Sequence, residues 1–159
     1  FYIKLRKMIT WKDVIHFSVN GNPTPHKRVE KTEDEWRAIL TPDQFQISRL
    51  HGTERPHTGA LCAIFDEGVY QCVCCDTELF DASIKFDSSS GWPSFTQPIN
   101  ENAIKYIKDT TYGMVRVEVL CNTCDGHLGH IFPDGPKPSG LRYCVNSASM
   151  KLKKASKNE

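Results

Sequence analysis

The sequence has no long apolar run and no bias of charge. Its longest hydrophobic stretch, around Ala60 to Phe65, falls far short of the roughly 20 residues that a membrane-crossing helix needs. Twenty Lys and Arg against nineteen Asp and Glu leave a formal charge of +1. That balance argues against a nucleic-acid binder working through bulk charge and against a polybasic membrane binder. The opening Phe1-Tyr-Ile-Lys-Leu-Arg-Lys7 is broken by charges and lacks the apolar core of a signal peptide. It also lacks an initiator methionine, so Met8 is the expected native start and residues 1–7 an added or processing remnant. Apolar residues are only 39% of the 159. One domain is expected, 1–159, with a modest core that metal or disulfides would assist.

Cysteine is what the chain has in excess. The seven lie at 62, 72, 74, 75, 121, 124 and 144, an odd count that cannot pair off within the chain. Four form two Cys-x-x-Cys pairs, Cys72/Cys75 and Cys121/Cys124, and both pairs read C-x-x-C-D-x-x-L. Each follows a strand-like run. Thiolates three positions apart on a tight turn can face one metal ion, and two such turns close a tetrahedral site. One zinc per chain is the reading. Redox disulfides within each pair are the alternative, but they usually sit in a βαβ context; rubredoxin-type iron shares the spacing. A four-thiolate zinc has no open position, so it is structural and the chemistry lies elsewhere. Cys74, between two ligands of its own turn, reads as a surface or packing residue of that turn.

Along the chain, residues 1–50 read as a peripheral helical arm. Apolar spacing predicts a helix over Trp11–Val19, ended by Asn20-Gly-Asn-Pro-Thr-Pro25. Thr32-Glu-Asp-Glu35 and Thr41-Pro-Asp-Gln44 are capping boxes that open two further short helices. Residues 51–152 read as a β-rich core, with strands expected at Val69–Val73, Ile84–Phe86, Ile104–Asp109, Met114–Leu120 and Arg142–Leu152. Their hairpin spacing predicts an antiparallel sheet or open barrel. The lysine-rich end, from 153 to 159, reads as a solvated tail.

Three segments are dense in reactive or rigid residues: Asp87–Phe95, Gly126–Pro136 and Leu141–Ser147. On a strand, Arg142, Cys144 and Asn146 share one face while Tyr143 and Val145 take the other. A guanidinium two residues from a thiol favours the thiolate, which makes Cys144 a candidate nucleophile. His127 and His130 follow directly on a metal-binding turn, in what reads as a loop, with Asp134 near enough in sequence to orient one of them. That arrangement suits acid–base work. Trp92, held between Gly91 and Pro93, is either core or a wall for an apolar substrate group.

Taken together, Gly91-Trp-Pro-Ser-Phe95, the two Cys-x-x-Cys pairs, His127-Leu-Gly-His-Ile-Phe-Pro-Asp-Gly-Pro136 and Arg142-Tyr-Cys-Val-Asn-Ser-Ala-Ser149 resemble the B-type methionine sulfoxide reductases. The resemblance runs from about Thr32 to Lys151. It implies a mainly β, barrel-like domain with short peripheral helices and a structural zinc. It also implies reduction of methionine-R-sulfoxide, free or in oxidised proteins. Cys144 matches the nucleophile and Arg142 the nearby cation. His127, His130 and Asn146 match the polar group around the sulfoxide oxygen and attacking sulfur. Trp92 matches the wall for the substrate methyl, and Phe132 joins it as a substrate contact. Cys144 would pass through a sulfenic acid to a disulfide cleared by thioredoxin.

One departure stands out. Many members carry a resolving cysteine immediately before Gly-Trp-Pro, where this chain has Ser90. Others use an earlier loop, and Cys62 lies where such a loop falls, so Cys62 is the expected resolving thiol; an external thiol is the alternative. A zinc-ribbon binding module would leave Cys144, His127 and Trp92 unexplained. A zinc deaminase needs His-x-Glu, which none of the six histidines offers. Free thiols and the absence of a signal sequence predict a cytoplasmic protein, and a monomer is expected, with no nucleic-acid or membrane partner.

Overall fold

The computed structural model describes residues 8–155. The arm forms α1 (Trp11–Asn20), α2 (Glu33–Ile39) and α3 (Pro42–Ser48). Each opens on a threonine followed by an acid or glutamine at the third helical position; both reciprocal bonds of the capping box form at Thr32 and Thr41, which satisfies backbone donors that a helix start leaves free. Gly21, at φ 121°, ends α1. The arm is packed, with Val14, Trp36 and Phe45 buried. Arg28 grips Asp125 through two hydrogen bonds of 2.9 and 2.7 Å. Arg49 lies 4.3 Å over the Trp36 ring and donates to the Cys124 carbonyl.

Nine strands follow: β1 (Gly68–Cys72), β2 (Glu78–Asp81), β3 (Lys85–Phe86), β4 (Ser94–Phe95), β5 (Ile104–Asp109), β6 (Arg116–Cys121), β7 (His127–Phe132), β8 (Arg142–Val145) and β9 (Met150–Lys154). They build two antiparallel sheets, β2-β1-β9 and β3-β4-β8-β7-β6-β5. The expectation of a mainly β, antiparallel domain holds, but the barrel does not: among the described strands neither sheet closes on itself. The core between them is aromatic. Phe80 stacks on Phe95 at 4.2 Å, and the buried hydroxyls of Tyr106 and Tyr143 meet at 2.6 Å.

Three segments differ from the sequence reading. Arg142–Leu152 is not one strand: the chain turns at Asn146 through a 3-10 turn at Ser147–Ser149, so β8 serves the large sheet and β9 the small one. The segment from His127 is not a loop but strand β7 as far as Phe132. The lysine-rich end pairs with β1 as far as Gly68↔Lys154; residues 156–159 lie outside the described residues.

Candidate active site

The two cysteine turns are copies of one geometry. Cys72–Cys75 links β1 to β2, and Cys121–Cys124 links β6 to β7. In each, the amide after the second cysteine bonds back to the first cysteine's carbonyl, at 3.0 Å for Asp76 and 2.8 Å for Asp125. In each, that aspartate is left-handed, at φ 68° and 65°, a conformation that aspartate tolerates better than most residues. This is the physical content of the repeated C-x-x-C-D. The four sulfurs converge, with Cys72 3.7 Å from Cys124 and Cys75 3.6 Å from Cys121. A tetrahedron with zinc–sulfur bonds of about 2.3 Å has edges of about 3.8 Å, so the residues fit the ion. Because one turn belongs to each sheet, the cluster ties the two sheets together. Cys74 is buried against Ser48, so it is a packing residue of its turn and not a surface one.

The large sheet presents the second cluster. Cross-strand register sets Ser94 opposite Cys144, Cys144 opposite His130, and His130 opposite Glu118. A strand normally sends residues three apart to opposite faces. Here a bulge intervenes: Leu120 faces His127 while Val119 faces Gly129, one residue being added to β7. The bulge brings the His127 and His130 rings together, with centroids 5.9 Å apart. On β8 the alternation is as expected, Tyr143 and Val145 buried, Arg142 and Cys144 half-buried.

A pocket of about 300 Å³ opens on this face, lined among others by Cys144, His130, Asn146, Arg142, Trp92 and Phe132. Trp92 is fixed by its indole N–H, which donates to the Glu54 carbonyl at 3.1 Å. Asn146 accepts from the Glu54 amide and donates to the Leu128 carbonyl. Arg142 stacks 4.4 Å from the Phe132 ring. Ser90 lines the same pocket, its hydroxyl 2.7 Å from that of Ser88. His127 is 3% exposed and stands behind His130, outside the pocket lining. Cys62 does not line it either; its neighbour Leu61 donates from its amide to Ser147 Oγ, three residues beyond the Cys144 thiol.

Burial pushes the Cys144 thiol up, and Arg142 and Ser90 only partly offset this. Arg142 is itself occupied: it binds Asp134 at 2.9 and 3.2 Å, which holds the Asp134 carboxyl down and raises Arg142. Asp134 therefore orients the guanidinium and no histidine. The histidines take their acids from the neighbouring hairpin, which sequence distance hid. His130 Nε2 donates to Asp109 at 2.7 Å, and His127 Nδ1 donates to Glu118 at 2.6 Å. Burial outweighs Asp109 and lowers His130, while the His130 and Thr111 hydrogen bonds hold the Asp109 carboxyl low against its own burial. Glu118 would be raised by burial, but bonds from His127 and His51 bring it to about 2. The signal in the sequence was faint: single acids on otherwise apolar or basic strands.

Comparison with known proteins identifies the family of the chain. The SelR domain model matches residues 40–154. Proteins named peptide methionine sulfoxide reductase MsrB are similar over most of their length. Those of Pseudomonas putida (strain GB-1) and Pseudomonas entomophila (strain L48) are 55% and 56% identical over 127 residues, covering 80% of this chain and 97% of each relative. That of Saccharophagus degradans is 57% identical over 125 residues, 79% of this chain and 93% of the relative. With a domain match over most of the chain and relatives of this identity covered almost end to end, the chain belongs to the SelR domain family, that of the MsrB proteins.

Proposed function

We propose that this protein reduces methionine-R-sulfoxide, free or within oxidised proteins, to methionine, with Cys144 as nucleophile. One observation carries the reading: Cys144 and His130 face each other in register across β7 and β8, in one pocket with Asn146 and Trp92. A sulfoxide sulfur is a poor electrophile until its oxygen takes a proton. The Cys144 thiol gives up its proton as it attacks sulfur, and His130, held by Asp109, relays a proton to the sulfoxide oxygen; such acid help is worth about 10²–10⁴ in rate. The oxygen passes to Cys144, methionine leaves, and the products balance as thioether and sulfenic acid. Arg142 favours the thiolate as it forms. Trp92 and Phe132 hold the substrate's apolar groups, Asn146 contributes a polar contact, and His127 positions His130. Cys72, Cys75, Cys121 and Cys124 would hold one zinc, which with four thiolates would brace the fold and leave the chemistry to Cys144.

Cys62 is our candidate for the second half. Its thiol condenses with the Cys144 sulfenic acid, releasing water, and thioredoxin reduces the disulfide. The bond from Leu61 to Ser147 tethers the Cys62 loop close in chain to the nucleophile. The protein works as a cytoplasmic monomer in this reading; among the described residues no helix is long and apolar enough to cross a membrane.

Turnover of the R and S epimers of methionine sulfoxide with dithiothreitol tests the activity. R-specific turnover, abolished in Cys144→Ser with zinc content unchanged, is expected. Activity retained in that variant would move the reaction elsewhere. After one turnover without reductant, peptide mapping should find Cys62 joined to Cys144. Normal thioredoxin-linked turnover in Cys62→Ser would assign resolution to Cys74 or an external thiol.

A further inference from the structure

Beside the pocket, on the side away from Cys144, three metal-ligating groups converge. His51 Nδ1 and His127 Nδ1 both lie on one oxygen of Glu118, at 2.7 and 2.6 Å. All three ligand atoms fall within 4.8 Å of one another. The members come from three places in the chain. His51 follows α3 and is held left-handed at φ 55°, Glu118 is on β6, and His127 opens β7 beside the bulge. The His51 and His127 rings are 5.2 Å apart. His127 is buried and Glu118 nearly so, whereas the His51 side chain is 55% exposed, which leaves a route in from solvent.

We infer that His51, Glu118 and His127 form a second, exchangeable site for a divalent zinc-class ion, separate from the four-thiolate cluster. Two imidazole nitrogens and one carboxylate oxygen are a ligand set that zinc accepts, with the fourth position left to water. The donor set is harder than four thiolates and is already half desolvated. The present spacings are hydrogen-bond distances. A tetrahedral set with bonds of about 2.0–2.1 Å has edges of about 3.3–3.4 Å, so the ligands must spread. The exposed His51 is free to make that adjustment, while His127 and Glu118 stay anchored in the sheet. Metal entry would displace the two imidazole N–H protons that Glu118 now accepts. Reaction at Cys144 does not require this ion.

The test uses intact, zinc-loaded protein in the Cys144→Ser background, freed of thiol reductant because dithiothreitol itself binds zinc. Cobalt(II) is added and its visible spectrum recorded while released zinc is monitored with a chromophoric chelator. One further equivalent should bind, with weak d–d bands, no intense thiolate-to-cobalt charge transfer and no zinc release. His51→Ala and Glu118→Gln should each weaken this binding. Loss of a partner that merely orients a ligand costs about 10–100-fold, and loss of a ligand should cost at least as much. His51 is exposed, so its variant should keep its fold, read as unchanged zinc content and circular dichroism, even if Glu118→Gln does not. Absence of a second equivalent, a thiolate charge-transfer band, or undiminished binding in His51→Ala would each overturn the inference.

Discussion

Glu118 offers a quantitative test of how the site is held. Its carboxylate accepts from His127 at 2.6 Å and from His51 at 2.7 Å, and its side chain is only 13% exposed. Those bonds bring it from 4.5 to about 2 against the opposing effect of burial. The folded pKa is depressed, so the stabilisation is fully present above the unfolded value and is lost as pH falls through the folded one. At about 1.4 kcal/mol per tenfold change, the depression corresponds to roughly 3 kcal/mol at neutral pH, with about half gone near pH 3. Screening of the exposed His51 makes this an upper value. Glu118→Gln keeps the shape and removes the titration. Urea unfolding of both proteins between pH 7 and pH 3, without added metal, should show a stability gap that grows as His51, raised by Glu118, takes its proton on the way to about pH 5, and then narrows toward pH 3 as the carboxylate is protonated. Any acid release of metal from the four-cysteine cluster would affect both proteins and cancel in the difference. A gap that stays the same between about pH 5 and pH 3, or that widens there, would refute the assignment of Glu118 as the ionised partner of the two histidines.

The other predictions concern the metal cluster and the thiol. Elemental analysis should find one tightly held zinc in the protein as purified, and Cys124→Ser should lose both the zinc and much of the stability, because the metal's binding energy is folding energy; a well-folded, metal-free variant would contradict this. Arg142→Met should move the pH profile of Cys144 alkylation upward, since the guanidinium is the principal group opposing burial. Asp134→Asn should move it downward, because it removes the charge that offsets Arg142. Shifts in the same direction, or no shift, would leave the ion pair without influence on the thiol.

What could be read from the sequence was local. The capping boxes needed only residues three apart, and each helix they announced is present. The paired C-x-x-C-D turns needed only a short loop whose last residue tolerates a left-handed backbone. The alternation of Arg142, Tyr143, Cys144 and Val145 needed only a strand. What failed was set by distant chain. Gly126, Gly129 and the following prolines suggested a loop at 126–136, but Gly129 is there for contact: a Cβ on it would stand 2.0 Å from the Cys144 carbonyl oxygen. The glycine permits the close pairing of β7 with β8, and so it belongs to the strand. Asp134 was the nearest acid in sequence to the histidines, yet the acids that bind them, Asp109 and Glu118, arrive through the β5–β6 hairpin. His51 joins Glu118 from the far end of α3, with no periodic pattern to announce it.

The metal turn and the pocket share one structural device. The Cys121–Cys124 turn closes the β6–β7 hairpin, and the bulge follows within the same hairpin, between Leu120↔His127 and Val119↔Gly129. A one-residue slip in a strand reverses every side chain downstream. Without the bulge, His127 and His130 would point to opposite faces, and only one of them could stand on the side of Cys144. The bulge sets His127 on the same face as His130, while the unbroken β7–β8 register sets His130 opposite Cys144. The four-cysteine cluster that could hold a metal ion thus stands three residues before a histidine on which the proposed proton transfer depends.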